Sequence, residues 1–242
     1  MTLITLLLYT LAAILYGLHF VRRAPRTGQA ATITLVAAAI VHTFVLGMHT
    51  MQDGHVPLVD AGEAVSVFVW LLALTYLYVE MTTDERAMGV FIVPLLAVLF
   101  IIPFTNQQPT PRPALLNSPL FALHTISAMV AYAAFALACV VSVTYVLLFR
   151  ELKRKQPGVF FARLPPLRSL DLMNVRAVTV GFVFLTIALV VGIVWIGQAP
   201  EDAMDAPLQH RLCRPEQHRL RRQPRPLTSR KPRAERPGLF PM

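Results

Sequence analysis

Six stretches of this chain are apolar over roughly 20 residues, the length that a helix needs to cross a bilayer. They occupy residues 3–21, 29–50, 64–82, 87–104, 120–149 and 177–197. Because lipid offers no hydrogen-bond partners, a spanning backbone has to satisfy its own polar groups, and a helix does so. Only 14% of the residues are charged, whereas an average soluble domain carries about 25%. The sequence therefore predicts an all-α, polytopic transmembrane bundle of about six spans.

The basic residues between these spans predict an orientation. Nearly all of them fall in the connections on one side, and the opposite connections, 51–63 and 105–119, hold only Arg112. The basic set comprises Arg22, Arg23, Arg26, Arg86, Arg150, Lys153, Arg154, Lys155, Arg163, Arg168 and Arg176. Basic connections stay on the cytoplasmic side of a membrane. We therefore expect a multi-pass protein of the plasma (inner) membrane with its N-terminus outside.

Four histidines lie within the apolar stretches, where an ionisable side chain raises a functional hypothesis. We expect His19, at the inner end of the first span beside Arg22, to be a headgroup-level residue; the other three are candidate ligands. His42 lies near the middle of the second span, and His49 follows two turns later on roughly the same helix face. About 10 Å of helix rise separates them, which is too far for two ligands of one iron. His124 begins the fifth span, where a neutral imidazole can hold iron while its second nitrogen bonds a carbonyl. For each of them, an ordinary packing or interfacial histidine is the alternative.

Other chemistry-bearing residues carry weaker signals. Glu80 ends the third span, and we expect its side chain to reach water there. Cys139 lies in an apolar run and Cys213 in the basic C-terminal part, so neither a disulfide nor a C-x-x-C motif is predicted. The sequence has no Gly-rich phosphate loop. It also shows no nucleophile paired with a base, so we predict no catalytic residues.

Three segments, in their order, resemble the integral-membrane cytochrome c assembly family, which includes the CcsA, CcmC and HemX-like haem-handling proteins. They read "LHTISAMVAYAAFALACVVSVTYVLLFRELKRK", then "RLPPLRSLD", then "GFVFLTIALVVGIVW". Two earlier segments resemble the preceding pair of helices in the same family, "DAGEAVSVFVWLLALTYLYVE" and "GVFIVPLLAV". The resemblance covers most of residues 1–197.

The resemblance implies haem handling at the outer face of the membrane, with histidines near that surface holding the iron beside a tryptophan-rich segment. His124 matches the family histidine and is the candidate axial ligand; His42 and His49 are weaker candidates, and Trp195 marks the edge of the expected haem site. The implied cofactor is haem. The implied partners are membrane lipid, other cytochrome c assembly proteins and apocytochrome c. The implied function is binding or delivery of haem for cytochrome c assembly, by an assembly factor rather than a self-contained catalyst.

The family pattern stops after Trp195. A tryptophan-rich stretch, further helices and a second outer histidine are expected next, and residues 199–242 contain none of them. Ten of the 22 Lys and Arg residues lie after residue 210. Together with frequent proline, they predict a disordered basic tail after a membrane domain at 1–198. A shifted reading frame and a genuine tail for anionic lipid or nucleic acid are both open. We favour the first and expect no nucleic-acid partner.

Three other functions are compatible with the same residues. The first is a HemX-like membrane protein linked to regulation of haem synthesis. The second is a small transporter or permease, which would be supported by inverted repeats or broken helices at mid-membrane; the sequence has no internal repeat. The third is a truncated product without function.

Overall fold

A computed structural model describes residues 2–53, 58, 60–102, 118–154 and 164–198. This part of the chain contains six α-helices and no β-strand. The helices are α1 (Thr2–Arg22), α2 (Pro25–Asp53), α3 (Ala61–Thr83), α4 (Gly89–Leu99), α5 (Pro119–Lys153) and α6 (Leu167–Gly197). All of them belong to one compact unit within Met1–Gln198. The predicted tail, 199–242, lies outside the described residues.

Five of the six helices are long and apolar enough to cross a membrane. The exception is α4, which has 11 residues, whereas a span needs about 20. Apolar side chains also cover the outside of the bundle: Ile33, Phe44 and Ile193 are each about 70% exposed. Such a surface suits lipid rather than water. The predicted all-α polytopic membrane protein is therefore confirmed, with a fourth helix shorter than its apolar stretch.

Local signals set the starts of two of these helices. Asp60 caps α3: its side chain accepts from Gly62 N at 3.1 Å, and the Glu63 side chain accepts from Asp60 N at 3.5 Å, which completes a capping box. Ser118 caps α5 by accepting from Leu120 N, and Pro119 occupies the first helical position. Both caps lie at the same end of the bundle, because α3 and α5 begin there.

The pairs α1/α2, α2/α3 and α5/α6 run antiparallel, so the bundle has two distinct ends. Side-chain contacts fix the registers: Tyr9 meets His42 between α1 and α2, and Phe135 meets Gly181 between α5 and α6. The basic end holds the α1–α2 turn, the α3–α4 turn, the end of α5 and the start of α6. The opposite end, called here the His124 end, holds the start of α5 and the end of α6.

Helix α3 lies at the centre of the packing, with contacts to α2, α4, α5 and α6. The longest shared surface joins α5 to α6. Small buried residues of α6 let side chains of α5 approach closely: Gly181 lies against Phe135, and Ala188 and Gly192 lie against His124. The α5–α6 hairpin is therefore held by close packing of α5 side chains on α6.

Glu80 does not reach water, so that prediction is wrong. Its side chain is only 2% exposed. The Tyr16 hydroxyl donates to Glu80 Oε2 at 2.6 Å, and the Thr32 hydroxyl donates to Oε1. Arg86 Nε lies 3.9 Å from Oε1. Hydroxyls from two neighbouring helices thus enclose the carboxylate near the basic end, where the position at a helix end alone had suggested exposure.

Candidate functional site

His124 lies in the first two turns of α5, half-buried against α6. Its Nδ1 is 2.8 Å from the carbonyl oxygen of Ala188. A carbonyl can only accept, so Nδ1 carries the hydrogen in this contact. In the neutral imidazole the lone pair then belongs to Nε2. A backbone carbonyl that fixes the tautomer in this way is the usual support of a metal-binding histidine.

Gly192 makes the approach of His124 to α6 possible. A Cβ atom at position 192 would lie 2.8 Å from His124 Nδ1 and 2.9 Å from Cε1. Both distances are shorter than carbon atoms tolerate, so any larger residue would displace the imidazole. Gly192 is itself buried, one turn beyond Ala188. The glycine therefore allows the ring to reach the Ala188 carbonyl.

Two aromatic rings complete the surroundings of His124. The Trp195 ring lies nearly parallel to the imidazole, with centroids 6.2 Å apart and planes 21° apart. Phe121, one turn before His124, packs on Trp195 with centroids 5.2 Å apart. Trp195 Nε1 is buried and has no hydrogen-bond acceptor among the described residues. Within the described ranges, the His124 end thus presents an imidazole nitrogen and an indole N–H that have no hydrogen-bond partner.

His42 has a different environment. It is fully buried. Its Nδ1 lies 3.1 Å from the Tyr9 hydroxyl, and its Nε2 lies 3.1 Å from the Ser66 hydroxyl. The Phe100 ring packs edge-on against it, with centroids 4.8 Å apart. Since a hydroxyl can donate or accept, both ring nitrogens are satisfied in either tautomer. This geometry favours a packing role, and the ligand role stays a prediction.

His49 lies near the end of α2 and is exposed. Within the described ranges, no hydrogen bond or ring contact joins His124 to His42 or to His49. The same part of the chain brings no three His, Cys, Asp or Glu side chains together around a possible metal position. The three predicted histidines therefore occupy three separate environments, and His124 alone stands beside Trp195.

The family profile described as "Cytochrome C assembly protein" matches residues 58–201, which is 144 of the 242 residues. The chain belongs to the cytochrome c assembly protein family. The matched range holds His124, Gly192 and Trp195, and it leaves out His42 and His49. The family assignment thus coincides with the residues that form the His124 site.

Individual members of the cytochrome c assembly family support the same assignment. The chain is 26% identical to Protein HemX of Bacillus subtilis (strain 168) over 79% of this chain and 70% of that protein. It is 28% identical to the cytochrome c biogenesis protein CcsA of Chlorella vulgaris over 64% of this chain and 60% of that protein. For CcsA of Trieres chinensis the identity is 25%, over 80% and 72%. The alignments thus span about 60% to 72% of these relatives, and no solved structure matches.

The sequence did not predict two residues that contact His124 or Trp195. Phe121 precedes His124 by three residues, a spacing that places both on one helix face. Gly192 precedes Trp195 by three residues, within the segment "GFVFLTIALVVGIVW" that carries the family resemblance. Helical spacing could have suggested both pairs. The contact between the two helices could not be predicted this way, because no periodicity reports which turn of α5 meets which turn of α6.

Proposed function

We propose that this member of the cytochrome c assembly family binds haem at the His124 end of the bundle, with His124 Nε2 as an axial ligand, and delivers it for cytochrome c assembly. One observation carries the proposal: the Ala188 carbonyl fixes the hydrogen on His124 Nδ1, so the lone pair of Nε2 is free. A haem iron accepts such a nitrogen, as in proteins with a histidine axial ligand.

The residues around His124 fit a haem group. Trp195 and Phe121 offer aromatic surface for an apolar macrocycle. The buried Trp195 N–H lacks an acceptor among the described residues, and a haem carboxylate would supply one. Gly192 keeps the space that the imidazole needs. When bound, haem is the group that becomes attached to the apocytochrome thiols, while this chain's residues hold and orient it.

The direction of delivery is also part of the proposal. Basic residues at the basic end include Arg22, Arg26, Arg150 and Lys153, in the last turns of α1 and α5 and the first turn of α2. The positive-inside preference puts this end in the cytoplasm of a cell whose inner membrane holds the protein. The His124 end then faces outwards, where apocytochrome c and other assembly proteins would receive the haem.

A second candidate is a HemX-like role in the regulation of haem synthesis. Protein HemX aligns to 79% of this chain, and the CcsA protein of Trieres chinensis aligns to 80%, so the coverage is nearly equal for the two candidates. The two candidates differ in their partner. Delivery requires that apocytochrome c acquires haem in the presence of this chain, whereas a regulatory role leaves cytochrome c maturation unchanged when the gene is deleted.

Absorbance of the purified full-length chain tests haem binding. We expect a haem band in the folded protein. We expect His124→Ala to weaken the affinity for haem at least about tenfold, which corresponds to a loss of about 1.4 kcal/mol of binding free energy. Leu123→Ala is the matched control, because Leu123 is the exposed neighbour of His124 in α5, and it should keep the band. A well-folded wild-type protein without the band, or a His124→Ala variant that retains it, would contradict the proposal.

A further inference from the structure

A cavity of about 210 Å³ lies at the basic end of the bundle, far along the helices from His124. Two turns of the chain and the residues before α6 form its walls. The described residues that line it are His19, Phe20, Arg23, Asp84, Glu85, Arg86, Ala87, Leu164 and Pro165. Because α1 and α3 end here and α6 begins nearby, the cavity lies at the depth where a lipid headgroup meets the protein.

Two of these residues hold an unusual backbone conformation. Arg23 has φ 53° and Asp84 has φ 54°, and they are the non-glycine residues with positive φ in the described part of the chain. Arg23 follows the end of α1, and Asp84 caps the end of α3. Glycine is the usual residue at such helix ends, and other residues cost roughly 1–2 kcal/mol more there. Aspartate adopts this conformation more readily than most residues, so Arg23 is the unusual one, and the two turns place both charged residues in the lining of the cavity.

The charges around the cavity are balanced. Arg23 and Arg86 are cationic, and Asp84 and Glu85 are anionic. Arg86 Nη2 pairs with Asp84 Oδ1 at 3.2 Å, and Asp84 stands at the mouth with its side chain 86% exposed. A purely anionic ligand would meet two carboxylates, and a purely cationic one would meet two guanidinium groups. A zwitterion carries both of the complementary charges.

His19 adds an acceptor to the same wall. Its Nδ1 is 3.1 Å from the carbonyl oxygen of Ala24, so Nδ1 donates and the neutral ring leaves its lone pair on Nε2. Gly28 leaves room for this ring, because a Cβ atom at position 28 would lie 2.8 Å from His19 Cε1. Phe20, Leu164 and Pro165 supply apolar wall beside these polar groups.

We propose that this cavity binds the headgroup of an aminophospholipid, in which a phosphodiester anion carries a primary ammonium. Arg23 pairs with the phosphate, and the carboxylates of Asp84 and Glu85 accept hydrogen bonds from the ammonium. The apolar wall takes the glycerol end of the lipid. A quaternary ammonium has no hydrogen to donate, and a glycerol headgroup has no positive charge, so the cavity distinguishes the primary amine from both.

Native mass spectrometry of the full-length chain in detergent tests this site. Phosphatidylethanolamine, phosphatidylcholine and phosphatidylglycerol with identical acyl chains are added at equal concentration, and the retained lipid is counted. We expect phosphatidylethanolamine to be retained about fivefold more than either of the others, which is a modest binding preference. Equal retention of phosphatidylcholine or of phosphatidylglycerol overturns the proposal.

Two glycine variants separate lipid binding from folding. Arg23→Gly and Asp84→Gly both relieve the left-handed backbone, so their thermal stability should be equal to or above that of the wild type. We expect each to lose the preference for phosphatidylethanolamine. Arg26→Ala is the control, because Arg26 is an exposed arginine three residues after Arg23 that does not line the cavity; it should keep the preference. An unchanged preference in both glycine variants overturns the proposal.

Discussion

The α1–α4 part of the bundle and the α5–α6 hairpin differ in the hydrogen bonding of their main polar side chains. In the first, His42 and Glu80 are buried, and hydroxyls from other helices meet the two ring nitrogens of His42 and the two oxygens of Glu80. In the hairpin, a carbonyl fixes one ring nitrogen of His124, and within the described residues neither the other ring nitrogen nor the Trp195 N–H has a hydrogen-bond partner.

This difference separates groups that hold the fold from groups that are ready for a ligand. An enclosed polar atom with all its partners contributes to stability, because removing it leaves those partners unpaired in a medium without water. A polar atom without a partner contributes little to folding, and it can still form a hydrogen bond or a metal bond with a ligand. Mutations in the two regions should therefore divide cleanly between loss of stability and loss of ligand.

The replacement His42→Ala is the strongest test of this division. It removes a fully buried ring and leaves the Tyr9 and Ser66 hydroxyls without their partner. We expect the free energy of unfolding to fall by about 3 kcal/mol, the sum of a cavity and an unpaired hydroxyl. His124→Ala should cost less than about 1 kcal/mol, because it removes one hydrogen bond from a half-buried position. Equal losses in mixed-micelle unfolding of the two variants would remove the distinction between the regions.

The next largest effect is expected at Glu80. Glu80→Ala leaves the Tyr16 and Thr32 hydroxyls without an acceptor and removes the carboxylate near Arg86. The free energy of unfolding should fall by about 2 kcal/mol. Glu80→Gln is the matched comparison, since its amide oxygen still accepts from one hydroxyl, and it should lose about half as much. If both variants unfold like the wild type, the carboxylate is not part of what holds α1, α2 and α3 together.

Gly192 provides a test within the hairpin itself. An alanine in a helix is favoured over glycine by about 1 kcal/mol, so Gly197→Ala, which has open space around it, should leave stability unchanged or raise it. Gly192→Ala should instead lower the free energy of unfolding by about 1 kcal/mol, because the new methyl group displaces the His124 ring. Bound haem should fall in the same variant. Identical behaviour of the two alanine variants would show that the close approach of His124 is unimportant.

The long helices and the position of His124 near the start of one of them could be predicted from the sequence, because apolar length and helix ends are local properties. Hydropathy could not predict that α4 ends at Leu99, since the apolar composition continues through Ile101 and Ile102. It also gave the wrong environment for Glu80. The position of Glu80 at the end of its own helix suggested exposure. Its burial is decided by Tyr16 and Thr32, which are 64 and 48 residues away in sequence.

The two membrane histidines show the same limit. His42 and His124 both stand in apolar helices, and the neighbouring sequence does not show which groups their ring nitrogens contact. The hydroxyl of Tyr9, 33 residues before His42, forms a hydrogen bond with Nδ1 of His42. The carbonyl of Ala188, 64 residues after His124, fixes the tautomer of His124. Such pairings depend on which helix turns meet, and they become visible only in the folded bundle.

The smallest effect is expected at Trp195, and its sign is informative. Trp195→Phe keeps an aromatic ring beside His124 and Phe121 but removes an indole N–H that is buried without an acceptor in the described residues. Because burying an unpaired donor is unfavourable, the ligand-free variant should unfold with a free energy equal to the wild type's or up to about 1 kcal/mol higher. The same variant should bind haem more weakly, since it cannot donate to a carboxylate. A loss of stability without haem would mean that the indole N–H already has a partner in the folded chain, and the hairpin would then resemble the α1–α4 part after all.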